Sequence, residues 1–339
     1  MSKKNNLTKV VAYRRALVSP KQGQTLQQLL SGALVNLTTA AQRTEPLDPQ
    51  STEVRVIGQH KVVNNMLCGY LSTYERGKSQ PVITDDPNAA NLSLGAVPPP
   101  PSAKGGKKQE YIPGVIFFAV LDNHIALTQS ATMRGSTLEH HIAWLLKSKT
   151  SALPATTSLV LSDEAQKATK ERIRQSHVKS IAFGQPLMSE FSAPKGGATD
   201  SKSSQAETDK KRFKPSGPMY ELLKQFFDDR KFESLGLDDV FDGNLEVWIE
   251  LRYPKRKRSK AEDTIQLMDN LGIGLRDIEG DQVTLQLANG HKVSGKDLKI
   301  SGNVSVQSDA AGQPDKEQMW VELSSWLASQ VKNGVVDPD

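Results

Sequence analysis

The chain has a single cysteine, Cys68, among its 339 residues. This scarcity excludes an intrachain disulfide framework and a zinc site built from paired cysteines, and it suits a reducing cytosol. Cys68 stands in the apolar context Met66–Leu71 (MLCGYL), which favours a small core residue over a reactive nucleophile. We therefore expect a cytoplasmic protein without structural disulfides.

Long apolar runs are also missing. No window approaches the roughly 20 apolar residues of a membrane-spanning helix. The basic start MSKKNN is not followed by an apolar run of signal-peptide length. We expect no membrane contact. The net charge of +5 and the pI of about 9.0 permit contact with nucleic acid without requiring it.

The sequence lacks the common catalytic motifs. It contains no Walker-type phosphate loop, no dinucleotide fingerprint after a strand, no HExxH pair and no GxSxG elbow. Gly272 and Gly274 lack the third glycine of a dinucleotide loop. No Cys or second His stands at a ligand spacing near the central histidines, so the sequence predicts neither a metal nor a cofactor. Whether the protein is an enzyme is left open.

Two polar stretches interrupt the chain. Residues 87–109 contain four consecutive prolines, Pro98–Pro101, and a Lys/Gly-rich tail, which is typical of a disordered insertion. Residues 191–217 are almost free of apolar side chains and are typical of a flexible linker. We predict an N-terminal α+β domain over 1–190 and a C-terminal α+β domain over 218–339, joined by this disordered linker.

The densest apolar stretch is Tyr111–Lys147. Within it, Val115–Leu121 predicts a strand buried on both faces, and His124–Gln129 predicts a half-buried return strand after a tight turn. Ser136 and Glu139 have the spacing of a capping box at the start of a helix. The hairpin and helix predict an α+β fold, with mixed or antiparallel sheets and packed helices.

Three further helices carry apolar stripes or end signals. Thr25 is predicted to cap the first helix. The second is predicted over residues 162–177, with Asp163 and Glu164 in its first turn. The last is predicted over residues 315–332, with Gly334 as its stop.

A β-meander is predicted over residues 281–306. A three-residue loop, Ala288–Gly290, places Leu285 opposite Val293, whereas a two-residue Asn-Gly turn would pair Leu285 with Ser294. We prefer the first register because apolar side chains then share one face of the hairpin.

A dense run of cations lies between a predicted strand and a predicted helix of the second half. Its members are Lys255, Arg256, Lys257, Arg258 and Lys260. Adjacent like charges repel each other, and contact with the phosphates of DNA or RNA would account for such a run. Trp248 and Tyr253 lie close in sequence and could add base stacking. The alternative is an exposed loop that keeps the protein soluble.

Three residues of the central stretch are reserve site candidates: His124, Arg134 and His140. The spacing of Arg134 and His140 resembles that of the HEPN ribonucleases, whose all-α fold differs from the strand-rich pattern seen here. His140 and His141 are adjacent, so on a helix they point about 100° apart and do not share one metal ion. The alternative is that all these histidines are structural.

The order of elements in the central stretch resembles uncharacterised bacterial proteins of mobile elements or phage-defence loci. The shared features are the apolar strand, the Asp122–His124 turn, the return strand ending at Gln129 and Ser130, and the helix ending at Trp144. This resemblance implies a sensor, adaptor or effector in antiviral defence, and it assigns no active-site residue.

Three functions remain open from the sequence. We favour an intracellular, non-enzymatic binding or adaptor protein that associates with nucleic acid. The first alternative is a metal-dependent nuclease or other toxic effector, since Asp242 and Glu250 distantly echo a restriction-endonuclease pattern in which Arg252 replaces the lysine. The second is a pure protein-interaction module that uses the proline run or the aromatic final helix.

Overall fold

The protein consists of two compact units. A computed structural model describes residues 5–337 except 22, 51, 86–90, 102–107, 131, 187, 192–212, 217–245, 253–267, 269–282 and 310–311. Unit 1 comprises Met1–Lys170 and Asp297–Asp339, and unit 2 comprises Glu171–Lys296. Helices and antiparallel sheets make up the described residues, so the protein is α+β, as predicted.

Unit 1 is built on one large antiparallel sheet. Its strands are β1 (Asn5–Ser19), β2 (Thr44–Pro46), β3 (Glu53–Val63), β4 (Met66–Glu75), β7 (Gly114–Leu121), β8 (His124–Thr128), β9 (Ser158–Ser162) and β16 (Ser301–Ser308). The order is β16-β1-β8-β7-β4-β3-β2, and β9 also pairs with β1. A separate hairpin consists of β5 (Gln80–Thr84) and β6 (Ser93–Val97).

Helices cover both faces of this sheet. They are α1 (Leu26–Asn36), α2 (Gly135–Trp144, continued by a π-helical turn over Leu145–Lys149) and α4 (Lys316–Lys332). On β7, Ile116 and Phe118 pack with α1 and α2, whereas Phe117 and Ala119 pack with α4. The prediction that this strand is buried on both faces is confirmed.

Strand β8 differs from its prediction. It was expected to be half-buried, yet all five residues from His124 to Thr128 are buried. The reason is that β8 lies between β1 and β7 in the middle of the sheet, where helices cover both faces. Alternation of polar and apolar residues in the sequence therefore did not reflect exposure at this position.

Two of the helix-capping predictions had opposite outcomes. Thr25 caps α1 in a complete capping box with Gln28, as its position predicted. The predicted box of Ser136 and Glu139 is wrong, because α2 begins two residues earlier than a cap at Ser136 implies and Arg134 occupies its N-cap position. Glu139 instead accepts a hydrogen bond from the backbone N–H of Leu161, 2.5 Å away, and so ties α2 to β9.

Helix α3 (Lys167–Ser176) begins later than predicted. The sequence placed Asp163 and Glu164 in its first turn, but both belong to the segment that precedes it. Asp163 forms an ion pair with Arg14, and the backbone carbonyl of Glu164 accepts a hydrogen bond from the N–H of Ile300. These contacts hold the segment against the sheet of unit 1 instead of in a helix.

Unit 2 contains a four-stranded antiparallel sheet and a small hairpin. The sheet has the order β13 (Glu246–Arg252), β10 (Val178–Pro186), β14 (Val283–Leu287) and β15 (Lys292–Ser294). The hairpin consists of β11 (Met188–Phe191) and β12 (Phe213–Ser216). Leu285 pairs with Val293, and Gly290 has a φ of 89°, so the predicted three-residue loop is confirmed.

The predicted meander ends at β15. Strand β16 joins unit 1, where Leu7 of β1 pairs with Val306. The final helix α4 also packs on the unit 1 sheet. The observed division therefore differs from the predicted C-terminal domain over 218–339, because the last strand and helix complete the core formed by the N-terminal half.

The two polar stretches contain some regular structure. Strand β6 falls within residues 87–109, which were predicted to be disordered, and it pairs with β5. Strand β12 falls within the predicted linker 191–217, and its Phe213 pairs with Phe191. Residues 86–90, 102–107 and 192–212 lie outside the described part of the chain.

Candidate anion-binding groove

Most of the predicted nucleic-acid contacts lie outside the described residues. These are Tyr253, Lys255, Arg256, Lys257, Arg258 and Lys260. Trp248 lies on β13, where its backbone pairs with Gly184 of β10. The proposed role of the cation run thus rests on its sequence.

The three reserve candidates occupy different environments. His124 is buried in β8, where its Nδ1 lies 2.6 Å from the hydroxyl of Tyr13. Arg134 and His140 are exposed on α2. His141, beside His140, is fully buried and contacts Glu45 through Nδ1 at 2.8 Å. The histidines that the sequence singled out are thus split between core and surface.

A buried polar cluster surrounds the hydroxyl of Tyr13. Burial, aided by the negative charge of Glu164, raises the pKa of Tyr13 above its usual value. Lys170 forms ion pairs with both Glu164 and Asp337. Arg15 donates to the backbone carbonyl of Asp337 at 2.6 Å. These bonds fasten the segment after α4 to β1 and α3, which is a structural role.

A concavity lined by several cations lies elsewhere in unit 1. A groove of about 350 Å³ is formed where three segments meet: the turn after α1, the middle of β3 and the start of α4. We call it the anion groove. It is lined by Thr38, Arg43, Gly58, Gln59, His60, Lys61, Lys316, Glu317 and Trp320.

An irregularity in β3 shapes one wall of the groove. The pairing of β3 with β4 shifts register between Ile57 and Gln59, as in a β-bulge. Gly58 occupies the shift, and a Cβ at this position would come within 2.4 Å of the Tyr70 ring. The absence of a side chain therefore lets Tyr70 lie against the strand just before the polar segment Gln59–Lys61.

Arg43 is the most buried cation of the groove, with 6% of its surface exposed. Its guanidinium donates to the backbone carbonyls of Ile57 (2.9 Å), Leu37 (2.7 Å) and Gly58 (3.3 Å). No carboxylate forms an ion pair with Arg43 among the described residues. Its positive charge is therefore fixed in position and is not neutralised by an acidic partner.

The charge of Arg43 affects the neighbouring histidine. Burial lowers the pKa of His60 below its usual value, and the positive charge of Arg43 lowers it further. His60 is therefore neutral near pH 7 and can accept or donate a hydrogen bond. The negative charge of an anion bound in the groove would oppose the effect of Arg43 on this pKa.

Two lysines complete the positive charge of the groove. Lys316 donates to the side-chain oxygen of Gln59 at 2.6 Å, and Lys61 forms an ion pair with Glu317 at 3.0 Å. More than half of each side chain in the Lys61–Glu317 pair is exposed, so this pair contributes little to stability and can open.

The start of helix α4 forms one wall of the groove. Lys316 and Glu317 are in its first turn, Asp315 caps it by accepting from the N–H of Gln318, and the helix dipole is positive at this end. Trp320 is only 2% exposed, and its Nε1 has no hydrogen-bond partner within the described residues. This atom is itself buried, so Trp320 contributes to the wall of the groove and not to its accessible donors.

The sequence reasoning missed this groove. Its cations are separated by long stretches of chain, and only the fold brings them together. The available signal was weak: a glycine inside an apolar strand pattern, followed by the polar segment Gln59–Lys61.

No group of three His, Cys, Asp or Glu side chains in the described part of the chain could hold a metal ion.

Comparison with known proteins gave no family. No protein-family model matches the chain, and no curated protein matches it in sequence. None of the helices within the described ranges combines the length and apolar character needed to cross a bilayer.

Proposed function

We propose that this protein is a non-enzymatic binding protein that associates with nucleic acid through phosphate contacts. The observation that carries the proposal is the anion groove, where Arg43, Lys61 and Lys316 converge from three separate segments around one exposed carboxylate, Glu317. Such a concentration of fixed cations is typical of phosphate recognition and is independent of base sequence.

The hydrogen bonds of the groove support binding over proton transfer. Arg43 is held by backbone carbonyls and Lys316 by the Gln59 amide, so these cations are oriented before a ligand arrives. Preorganised donors lower the entropic cost of binding an anion. The cation run 255–260 in unit 2 would supply a second, independent set of phosphate contacts. A place in bacterial antiviral defence stays a prediction.

The test measures binding of short labelled single strands of DNA and RNA by fluorescence anisotropy across a range of salt concentrations. The groove variant carries Lys61→Gln and Lys316→Gln. The control variant carries Lys149→Gln and Lys332→Gln, which remove the same charge from exposed positions of unit 1 outside the groove.

We expect wild-type binding that weakens as salt rises. The groove variant should show a log–log salt slope smaller by about 1.4, the value for two lost contacts to a single strand. The control variant should bind like the wild type. Absence of binding to both DNA and RNA at low salt would overturn the proposal. Equal salt slopes for the groove variant and the control variant would show that the groove makes no phosphate contact.

The cation run is tested separately. Changing Arg256, Lys257 and Arg258 together to alanine should also reduce the salt slope, by about 2 for three contacts. Binding of this triple variant with the wild-type slope would show that the run makes no phosphate contact.

A further inference from the structure

The charge balance of the anion groove points to a particular kind of phosphate. Three cations, Arg43, Lys61 and Lys316, face one carboxylate, Glu317, so the groove carries a surplus of two positive charges (3 − 1) while His60 is neutral. An internal phosphodiester carries one negative charge. A terminal phosphomonoester carries about 1.5 to 2 negative charges near pH 7, which matches the surplus.

The available donors point the same way. A phosphomonoester has three terminal oxygens that accept hydrogen bonds, whereas an internal diester has two non-bridging oxygens. The groove offers the ammonium groups of Lys61 and Lys316, each with several N–H donors.

The position of the groove adds a third argument. It lies at the positive end of α4, a helix of 17 residues, and the buried charge of Arg43 lies at its inner wall. A doubly charged anion is attracted more strongly by the helix dipole and by the charge of Arg43 than a singly charged one. A chain end can also enter a concave site, whereas an internal linkage carries a nucleoside on both sides.

We propose that the anion groove binds the terminal phosphomonoester of a nucleic-acid strand. That the phosphate belongs to a nucleic acid rests on the proposed function. That the groove binds a phosphate rests on the groove alone. Lys61 and Lys316 contact the terminal oxygens, and Arg43 supplies fixed charge from the wall of the groove.

The test compares three forms of one short oligonucleotide: with a 5′-phosphate, with a 3′-phosphate, and with hydroxyls at both ends. We expect one phosphorylated form to bind about tenfold more tightly than the hydroxyl form, which corresponds to about 1.4 kcal/mol. The preferred form identifies the end that is recognised. The Lys61→Gln/Lys316→Gln variant should lose this preference, and the Lys149→Gln/Lys332→Gln variant should keep it.

The readouts separate failure of the inference from failure of the proposed function. Equal affinity for the three oligonucleotides would overturn the inference and leave nucleic-acid binding intact. The second readout is the NMR titration of His60 with and without inorganic phosphate, where a bound anion raises the pKa of the imidazole. If no oligonucleotide binds but phosphate raises this pKa, the phosphate site stands and the nucleic-acid function fails. No response in either measurement would overturn both.

Discussion

The hydroxyl oxygen of Tyr13 lies 2.6 Å from Nδ1 of His124, between neighbouring strands in the middle of the large sheet. Both residues are buried. Because burial raises the pKa of Tyr13, its hydroxyl stays protonated, and the tautomer of His124 sets which of the two atoms donates in this hydrogen bond. This contact holds the imidazole of His124, a site candidate from the sequence, within the core.

Changing Tyr13 to phenylalanine should lower the free energy of unfolding. The change removes the hydroxyl and leaves the buried Nδ1 of His124 without this hydrogen bond, which costs roughly 1–3 kcal/mol. Urea denaturation followed by circular dichroism measures the loss. Tyr111→Phe is the matched control, because its hydroxyl bond to the Pro98 carbonyl is exposed, and we expect a change below about 0.5 kcal/mol. Similar losses in the two variants would contradict the structural role of the Tyr13–His124 bond.

His141 should make stability depend on pH. Burial lowers its pKa and outweighs the opposing effect of Glu45, while the positive charge of Arg55 adds to the lowering. The ring also stacks on Trp144, with centroids 5.4 Å apart. Because the folded pKa is lowered, the unfolded state binds the proton more readily. The contribution is therefore fully present above about pH 6.5 and is lost as the pH falls below it.

The measurement is the free energy of unfolding between about pH 7.5 and pH 5, where one such group adds a slope of up to about 1.4 kcal/mol per pH unit. His141→Gln should flatten the profile, because glutamine does not take up a proton in this range. His140→Gln changes the exposed neighbour on the same helix and should leave the profile close to that of the wild type. A profile with the same slope in both variants would show that His141 is not the titrating group.

Gly69 on β4 should be intolerant of a side chain. A Cβ at this position would lie 2.7 Å from Cζ of Phe118, which is fully buried, and 3.1 Å from the backbone oxygen of Gln59. Neither group can move freely, so Gly69→Ala should cost about 1–3 kcal/mol of unfolding free energy through overpacking. Thermal unfolding measures the change.

Gly32 provides the matched control for Gly69. It lies within α1, and a Cβ there meets nothing within 4 Å. Gly32→Ala should therefore stabilise the protein by about 0.5–1 kcal/mol, because alanine loses less backbone entropy than glycine in a helix. A loss of stability at Gly32, or tolerance at Gly69, would contradict the packing described for α1 and β4.

Cys68 should be unreactive in the folded protein. It is fully buried, as its apolar context predicted, and burial raises the pKa of its thiol to about 12. Since the thiolate is the reactive form, alkylation by iodoacetamide at pH 8 should be slow and should become fast only in denaturant. Mass spectrometry reports the modified fraction over time. Rapid modification without denaturant would show that this part of β4 opens readily.

Sequence reasoning succeeded where neighbouring residues determine the outcome. The cap at Thr25, the three-residue loop ending at Gly290 and the two-sided burial of β7 each depend on a few adjacent positions. It failed where distant partners decide. Glu139 was predicted to cap α2, but its side chain instead accepts a hydrogen bond from the N–H of Leu161. Asp163 was predicted to lie in a helical turn, but it instead forms an ion pair with Arg14.

The candidate site follows the same rule. The cation run after Tyr253 is visible in the sequence because its members are consecutive. The anion groove is not visible, because Arg43, His60 and Lys316 come together only after α4 has packed on the sheet that contains β3. No local pattern in a sequence records such a convergence, since each residue alone is typical of a solvated surface.

The pairing of β1 with β16 has a consequence for synthesis on the ribosome. Residues 5–12 of the nascent chain are translated well before their partners at 301–308. At 5–20 residues per second, this half of β1 waits about 15–60 s for its partner. During that interval its backbone groups form an open edge that could pair with another chain. The pairing of this half of β1 is therefore completed only after residues 301–308 have been translated.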